Sequence, residues 1–400
     1  MCETEALAKE GSMGQTLSQE GVASLFLGDG CAPVRAHARG AERDTEAGVR
    51  LQDSSPTFEE TRMKRYGVHP TQPAAPLQVT DFEPAPLGDS QVAVAIKAVS
   101  LNFRDLLVSQ NTYFCPIPDG LVPCSDGAGE VVAVGKDVRS LKVGDRVATL
   151  FFPDWQGGRP EPSSVSGARG AESGGTLTER FVSDETGVIK LPDRLSYAEA
   201  ATLPCAAVTA WNSLFEVSDL KPGQTVLLLG TGGVSIFALQ FAKAAGAQVI
   251  ITSSDDAKLA RARQLGADHG INYKTHPDWE REVLRLTAGR GVDVVIEVGG
   301  PGTLERSLAS VRMGGRIAYI GVLTGLGAQA NPVALIPKAA SIHGIFVGSR
   351  AMFADMLDAM ATHGIKPVID REFAFAEAPA ALAHMKSGGH FGKIVIRVGS

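Results

Sequence analysis

TVLLLGTGGVS, residues 225–235, decides how the rest of the chain is read. A β-type run ends at Gly230-Thr231-Gly232-Gly233-Val234-Ser235 and passes directly into Val234, Phe237, Ala238, Phe241, Ala242 and Ala245, an apolar set at helical spacing. Gly230 permits a tight turn, Gly232 lets main chain approach a pyrophosphate, and the small Ser235 falls where helix and strand must pack closely. The helix start then offers unpaired N–H groups to an anion. In this strand–turn–helix order the glycines read as a dinucleotide-binding loop, with Gly230, Gly232, Gly233 and Val234 as cofactor-binding positions.

Outward from it, strands alternate with helices: QVIIT at 248–252, DVVIEV at 293–298, RIAYIG at 316–321 and IHGIFVG at 342–348. Parallel strands need such crossovers, so the expectation is an α/β fold with a doubly wound parallel sheet. An acid closing the second strand would hold the ribose of a dinucleotide without a 2′-phosphate. That place reads Thr252-Ser253-Ser254. Ser253, Ser254 and Lys258, with Tyr273 after the third strand, leave room and donors for a phosphate, so NADP(H) is preferred. NAD stays possible: the serines would then cap the next helix while Asp255 or Asp256 reaches the ribose. Gly299, Gly300, Gly321 and Val322, after the fourth and fifth strands, border the cofactor by the switch-point rule.

Before this region come short β-type runs at 92–99, 129–135 and 144–151, divided by turn residues. Residues 153–175 are dense in Gly, Pro and Ser and read as a long mobile loop, a lid in which Trp155 would cover an apolar substrate. Residues 1–62 hold eleven acids against six lysines and arginines, net −5, without sustained periodicity; they read as a disordered extension.

Composition narrows the function classes. With 44% hydrophobic residues, 400 positions suffice for about two or three domains with their own cores, which excludes a disulfide-stapled or wholly disordered chain. Lys and Arg number 38 against 44 acids, so nucleic acid is not an expected partner. Five scattered cysteines suit a reducing, cytoplasmic setting. The uncharged run 222–242 is broken by glycines and is not expected to enter a membrane, and acids at Glu3, Glu5 and Glu10 argue against a targeting signal.

The cofactor stretch, LKVGDRVATL at 141–150, CSDGAGEVVAVG at 124–135 and LPCAAVTAW at 203–211 together resemble the medium-chain dehydrogenase/reductase superfamily, within it the zinc-free alcohol dehydrogenase and quinone oxidoreductase branch. The resemblance spans 63–400. It implies a GroES-like strand-rich catalytic domain (63–205), a Rossmann domain (206–348) and a C-terminal return to the catalytic domain (349–400), with the active site in the cleft between them. Catalytic zinc in that superfamily uses Cys, His and Cys, and here those places hold Asn102, Ser125 and Cys205. No histidine lies between His69 and His269, so no zinc is expected.

Without a metal, the resemblance makes Tyr113, eleven residues after Asn102, the proton donor, since an Asn-x-x-Asp segment followed by a Tyr resembles the enoyl-reductase pattern. Asn102 would hold the substrate oxygen or nicotinamide ribose, Asp105 anchor a turn, Asp126 support the site, Thr209 contact the nicotinamide, and Lys393 approach the cofactor phosphates. The edge strand near 342–348 would pair in a homodimer. The expected function is a zinc-independent, NADPH-preferring oxidoreductase acting on a small molecule: a carbonyl or alcohol, an enone or a quinone. The alternative is a catalytically silent NADPH-binding sensor whose acidic extension meets a partner.

Overall fold

The computed structural model describes residues 62–72, 74–325 and 331–399, so the extension expected at 1–62 lies outside it except for Arg62. β1 (Met63–Val68) and β2 (Leu77–Phe82) form an antiparallel hairpin that the sequence reading did not separate. β3 (Gln91–Ser100), β4 (Asp126–Val134), β5 (Arg146–Thr149), β6 (Arg180–Asp184) and β7 (Val188–Lys190) follow. Next come β8 (Thr225–Leu228), β9 (Gln248–Ser253), β10 (His269–Asn272), β11 (Val292–Glu297), β12 (Val311–Tyr319) and β13 (Ser341–Gly344). β14 (Ile369–Ala374) and β15 (Lys393–Arg397) end the chain.

β8 to β13 make one six-stranded sheet in the order β10-β9-β8-β11-β12-β13, every pair parallel. Chain order therefore reverses between β8 and β11, and the crevice at their carboxyl ends is where such sheets bind ligands. Alternation along β8 serves two cores. Val226 and Leu228 face one with Phe237 and Phe241, while Leu227 and Leu229 face another with Ile250, Val283 and Val295. A fully buried leucine contributes about 1.5–3 kcal/mol, which holds the strand that carries the glycine turn.

The second sheet, order β14-β15-β3-β4-β5-β7 with β6 also on β3, is mostly antiparallel. β15 lies along β3 with Val395 opposite Ser100, so the chain's end returns to its first half. That pairing brings Lys393 beside Leu101 and Asn102.

Two expectations are corrected. The 153–175 segment is not a free lid: Trp155 is only 3% exposed and packs on Phe152, and its carbonyl accepts from Arg350 N at 2.9 Å. Arg169 is buried too, with Nε on Leu150 O and Nη2 on Ser183 Oγ. Glycine and proline density reads as mobility, but two long side chains pin this loop from inside. The strand expected over 342–348 stops at Gly344, with Val347 in the left-handed region at φ 56°.

Candidate functional site

The dinucleotide loop is built from main chain. Gly230 has φ 72°, where an L side chain costs about 1–2 kcal/mol. A Cβ added at Gly230 or Gly232 would meet no atom within 4 Å, so the space over the turn is open. Gly232 starts the helix Gly233–Ala244 without a side-chain cap, leaving first-turn N–H groups for a ligand. Ser235 is buried and donates from Oγ to Leu229 O at 2.7 Å, closing helix onto strand as its small size requires. Gly230 N donates to Thr252 Oγ1 at 3.1 Å. These features fit the diphosphate of a nicotinamide dinucleotide. The loop is also tied to the chain's end, with Gly392 N donating to Thr231 O at 3.0 Å.

At the end of β9 the capping alternative is not realised. Asp255, not a serine, caps the helix Asp256–Gln264, its Oδ1 accepting from Ala257 N at 2.7 Å and Lys258 N at 3.1 Å. Asp256 Oδ1 accepts from Asn272 Nδ2 at 2.9 Å. Ser253 is buried, Ser254 is partly exposed, and Tyr273 is brought alongside by its N–H on Ser253 O. Lys258 reaches the C-terminal segment through Nζ to Gly388 O at 2.7 Å.

Across the switch point, Gly299 and Gly300 donate their N–H groups to Glu297 Oε1 at 2.8 and 2.9 Å. A Cβ on Gly321 would lie 1.9 Å from Val298 O, so this turn presses against the β11 turn and Val322 remains partly exposed beside it. Glu297, fully buried and also bound by Thr303 and Ser307, fastens both turns. Sequence reading missed it, since an acid inside an apolar strand carries no pattern. Thr209 is buried in the short helix Val208–Trp211, between π-helical stretches Leu203–Ala207 and Asn212–Val217. Such stretches are frequent at functional sites.

A second cluster, around Asn102, is made of side chains from remote segments. The helix Phe103–Ser109 begins at Asn102, whose N–H donates to Asp105 Oδ2 at 2.7 Å, the turn-anchoring role expected of that acid. Lys393, only 3% exposed, donates from Nζ to Leu101 O and to Asn102 Oδ1, both at 2.6 Å, and stands 3.9 Å from Asp126 Oδ2. Its ammonium thus lies against Asn102, contrary to the expectation that it reaches towards phosphates. Its stem packs on the cofactor helix, where a Cβ on Gly233 would come within 2.6 Å of Lys393 Cδ. Asp126 also accepts from Ser125 Oγ at 2.7 Å and from Cys205 N at 3.2 Å. Tyr113 Oη accepts from Arg104 Nε at 3.3 Å.

Burial dominates the electrostatics. It raises the Asp105 carboxyl to about 6, against the pull of Arg104, and raises Asp126 against Lys393. It lifts the Tyr113 phenol above its ordinary range despite Arg104, so the phenol keeps its proton at neutral pH. The Cys205 thiol is pushed far up by burial and by Asp126, and is no thiolate. Asn102 and Tyr113 lie on either side of Arg104, which holds Tyr113 Oη and which the sequence reading missed although it stands inside the same Asn-x-x-Asp segment.

Residues 88–193 match the alcohol dehydrogenase GroES-like domain family and 233–362 the zinc-binding dehydrogenase family. A zinc-type alcohol dehydrogenase-like protein of Schizosaccharomyces pombe is 43% identical over 80% of this chain and 95% of its own. A quinone oxidoreductase of Pseudomonas aeruginosa is 33% identical over 80% and 95%. The crystal structure of an NAD-dependent alcohol dehydrogenase superposes with a TM-score of 0.75 at 32% identity, covering 84% of this chain and 99% of its own. The chain therefore belongs to the medium-chain dehydrogenase/reductase superfamily and is an NAD(P)-dependent oxidoreductase. Its two sheets are the GroES-like and Rossmann parts that the resemblance implied. No helix among the described residues is long and apolar enough to cross a membrane.

Proposed function

We propose that the protein is a zinc-independent oxidoreductase that prefers NADPH and moves hydride between nicotinamide and a carbonyl or alcohol, an enone or a quinone. The observation that carries this reading is the Lys393–Asn102 hydrogen bond, which places a fixed cation at a position where zinc-bearing relatives have a metal ligand. The local donors do not suit zinc. Asn102 spends its oxygen on Lys393, Ser125 donates its hydroxyl to Asp126, and Cys205 holds its proton. Among the described residues no three His, Cys, Asp or Glu side chains are grouped to hold a metal.

Preference for the 2′-phosphate rests on the rim of β9. Both acids available for a ribose are engaged elsewhere, Asp255 as a cap and Asp256 with Asn272, which leaves Ser253, Ser254 and Tyr273 to meet the phosphate, joined by Lys258 once its Nζ exchanges Gly388 O for it. When bound, the cofactor supplies or accepts hydride. The chain's residues do the rest: the Gly230–Gly233 amides hold the diphosphate, Thr209 and Asn102 orient the reacting end, and Tyr113 delivers the proton. The protein acts as a cytoplasmic homodimer in this reading, supported by β13, which pairs only with β12 among the described strands, and by the exposed apolar Val333, Ile336 and Phe346 near that edge.

Calorimetry with both nucleotides tests the cofactor assignment. NADPH should bind more tightly than NADH, and Ser253→Asp should reverse the order by repelling the phosphate; tighter NADH binding in the unaltered protein refutes it. About one zinc per purified chain by metal analysis would refute the zinc-free reading.

A further inference from the structure

Trp211, Phe215 and Phe241 wall a cavity of about 180 Å³, and Ala244, Ala245 and Ala359 leave it its room. Close-packed interiors ordinarily hold few voids larger than a water molecule. The Trp211 ring lies 4.4 Å from that of Phe215 and 5.7 Å from that of Phe241, centre to centre, so the three aromatic walls brace one another. Trp211 Nε1 is buried and has no hydrogen-bond partner among the described residues. The cavity stands apart from the nicotinamide end of the cofactor site. Trp211 follows Thr209 by two residues, and helical residues at that spacing face different sides. The cofactor helix Gly233–Ala244 is about 16 Å long, and the cavity lies at the end remote from the diphosphate turn. An open groove shares His363 and Ile365 with the cavity and carries Lys243 and Lys366, which gives an occupant a way in from solvent.

We propose that this cavity is a second ligand site, taking an uncharged single-ring phenol whose ring lies against the aromatic walls and whose oxygen accepts from Trp211 Nε1–H. Size sets the ring count. An apolar cavity of about 150 Å³ takes up benzene, so the slightly larger space here suits one ring with its hydroxyl. The indole sets the oxygen, because a buried donor left unpaired is costly and a plain hydrocarbon would leave it so. Charge is disfavoured from both sides. The helices Gly233–Ala244 and Arg350–Thr362 both end at the cavity, where the negative poles of their C-termini repel an anion. Lys243 and Lys366 in the groove repel a cation.

The test titrates phenol into the full-length protein labelled with nitrogen-15 tryptophan. The chain has three tryptophans, and Trp211→Phe identifies the Trp211 indole signal. Phenol should move that signal downfield and saturate it with a Kd below about 1 mM. Ala359→Leu, and independently Ala245→Leu, fill the cavity; each should weaken phenol about tenfold or more and hold or raise the melting temperature. An unmoved Trp211 signal, or undiminished affinity in both filled variants, overturns the site. Scaled by partition into cyclohexane, which forms no hydrogen bonds, phenol should bind about tenfold or more better than toluene, and Trp211→Phe should cancel that advantage. Equal scaled affinities, or an advantage kept in Trp211→Phe, overturn the role of the indole. Benzoate and benzylammonium should each bind about tenfold or more weaker than phenol; tighter binding of either overturns the uncharged class. Turnover enters none of these readings, so they stand or fall separately from the function proposed above.

Discussion

The glycine turn at 230–233 and the side-chain cluster around Asn102 are joined through the Gly392–Lys393 segment but are made differently. The turn needs only consecutive residues, because its ligands are amides fixed by local backbone geometry: Gly230 at φ 72° and an uncapped helix start at Gly232. The cluster needs Asn102, Tyr113, Asp126, Cys205 and Lys393, spread over nearly three hundred positions, and Lys393 reaches Asn102 only when β15 pairs with β3. A main-chain site can be read from one short string. A side-chain site depends on topology.

Variants in each region should therefore fail in different ways. The largest effect is expected from Tyr113→Phe, which removes the proton source and should lower kcat about 10²–10⁴-fold while NADPH affinity stays unchanged; unaltered turnover with every acceptor would disprove the donor role. Gly232→Val should show the opposite signature. Its Cβ meets no protein atom within 4 Å, so the melting temperature should hold, yet the side chain occupies the space for diphosphate and should weaken NADPH about a hundredfold or more, roughly 3 kcal/mol. A large stability loss instead would mean that the loop is not open.

Lys393→Met sits where the two regions meet. It strips the partner from Asn102 Oδ1, Leu101 O and Asp126 at once and should cost about 3 kcal/mol of stability, read by denaturant unfolding. A change within 0.5 kcal/mol, the ordinary size of a surface substitution, would mean that the bridge does not form.

The smallest effect is a pH dependence. Asp105 has a folded pKa of about 6, above the usual carboxylate value, so its contribution to stability is complete below the unfolded value near 3.8 and is lost as pH rises through 6. Asp105→Asn keeps an acceptor for Asn102 N without the buried charge. Relative to the unaltered chain it should gain a few degrees in melting temperature at pH 8 over pH 4, and an equal difference at both pH values would contradict the raised carboxyl.

What the sequence made legible follows the same division. β8, the glycine turn, its helix and the switch-point glycines all rest on local patterns and could be read directly. The resemblance carried Asn102 and Tyr113. Arg104 was invisible because an arginine in an amphipathic helix ordinarily faces water; its burial depends on Phe151 and Arg169, supplied by segments some fifty residues away. Trp155 was misread for a related reason, since loop composition says nothing of what one large side chain finds to pack against.

The hydrogen bond from Gly392 to Thr231 has a consequence for synthesis. A chain leaving the ribosome exposes its phosphate-binding loop long before its last strand, but neither the clasp on that loop nor the ammonium beside Asn102 exists until residues 392 and 393 emerge. The two parts of the candidate site are thus joined late, and cutting the chain before Gly392 would take away both the clasp on the glycine turn and the Lys393–Asn102 bridge.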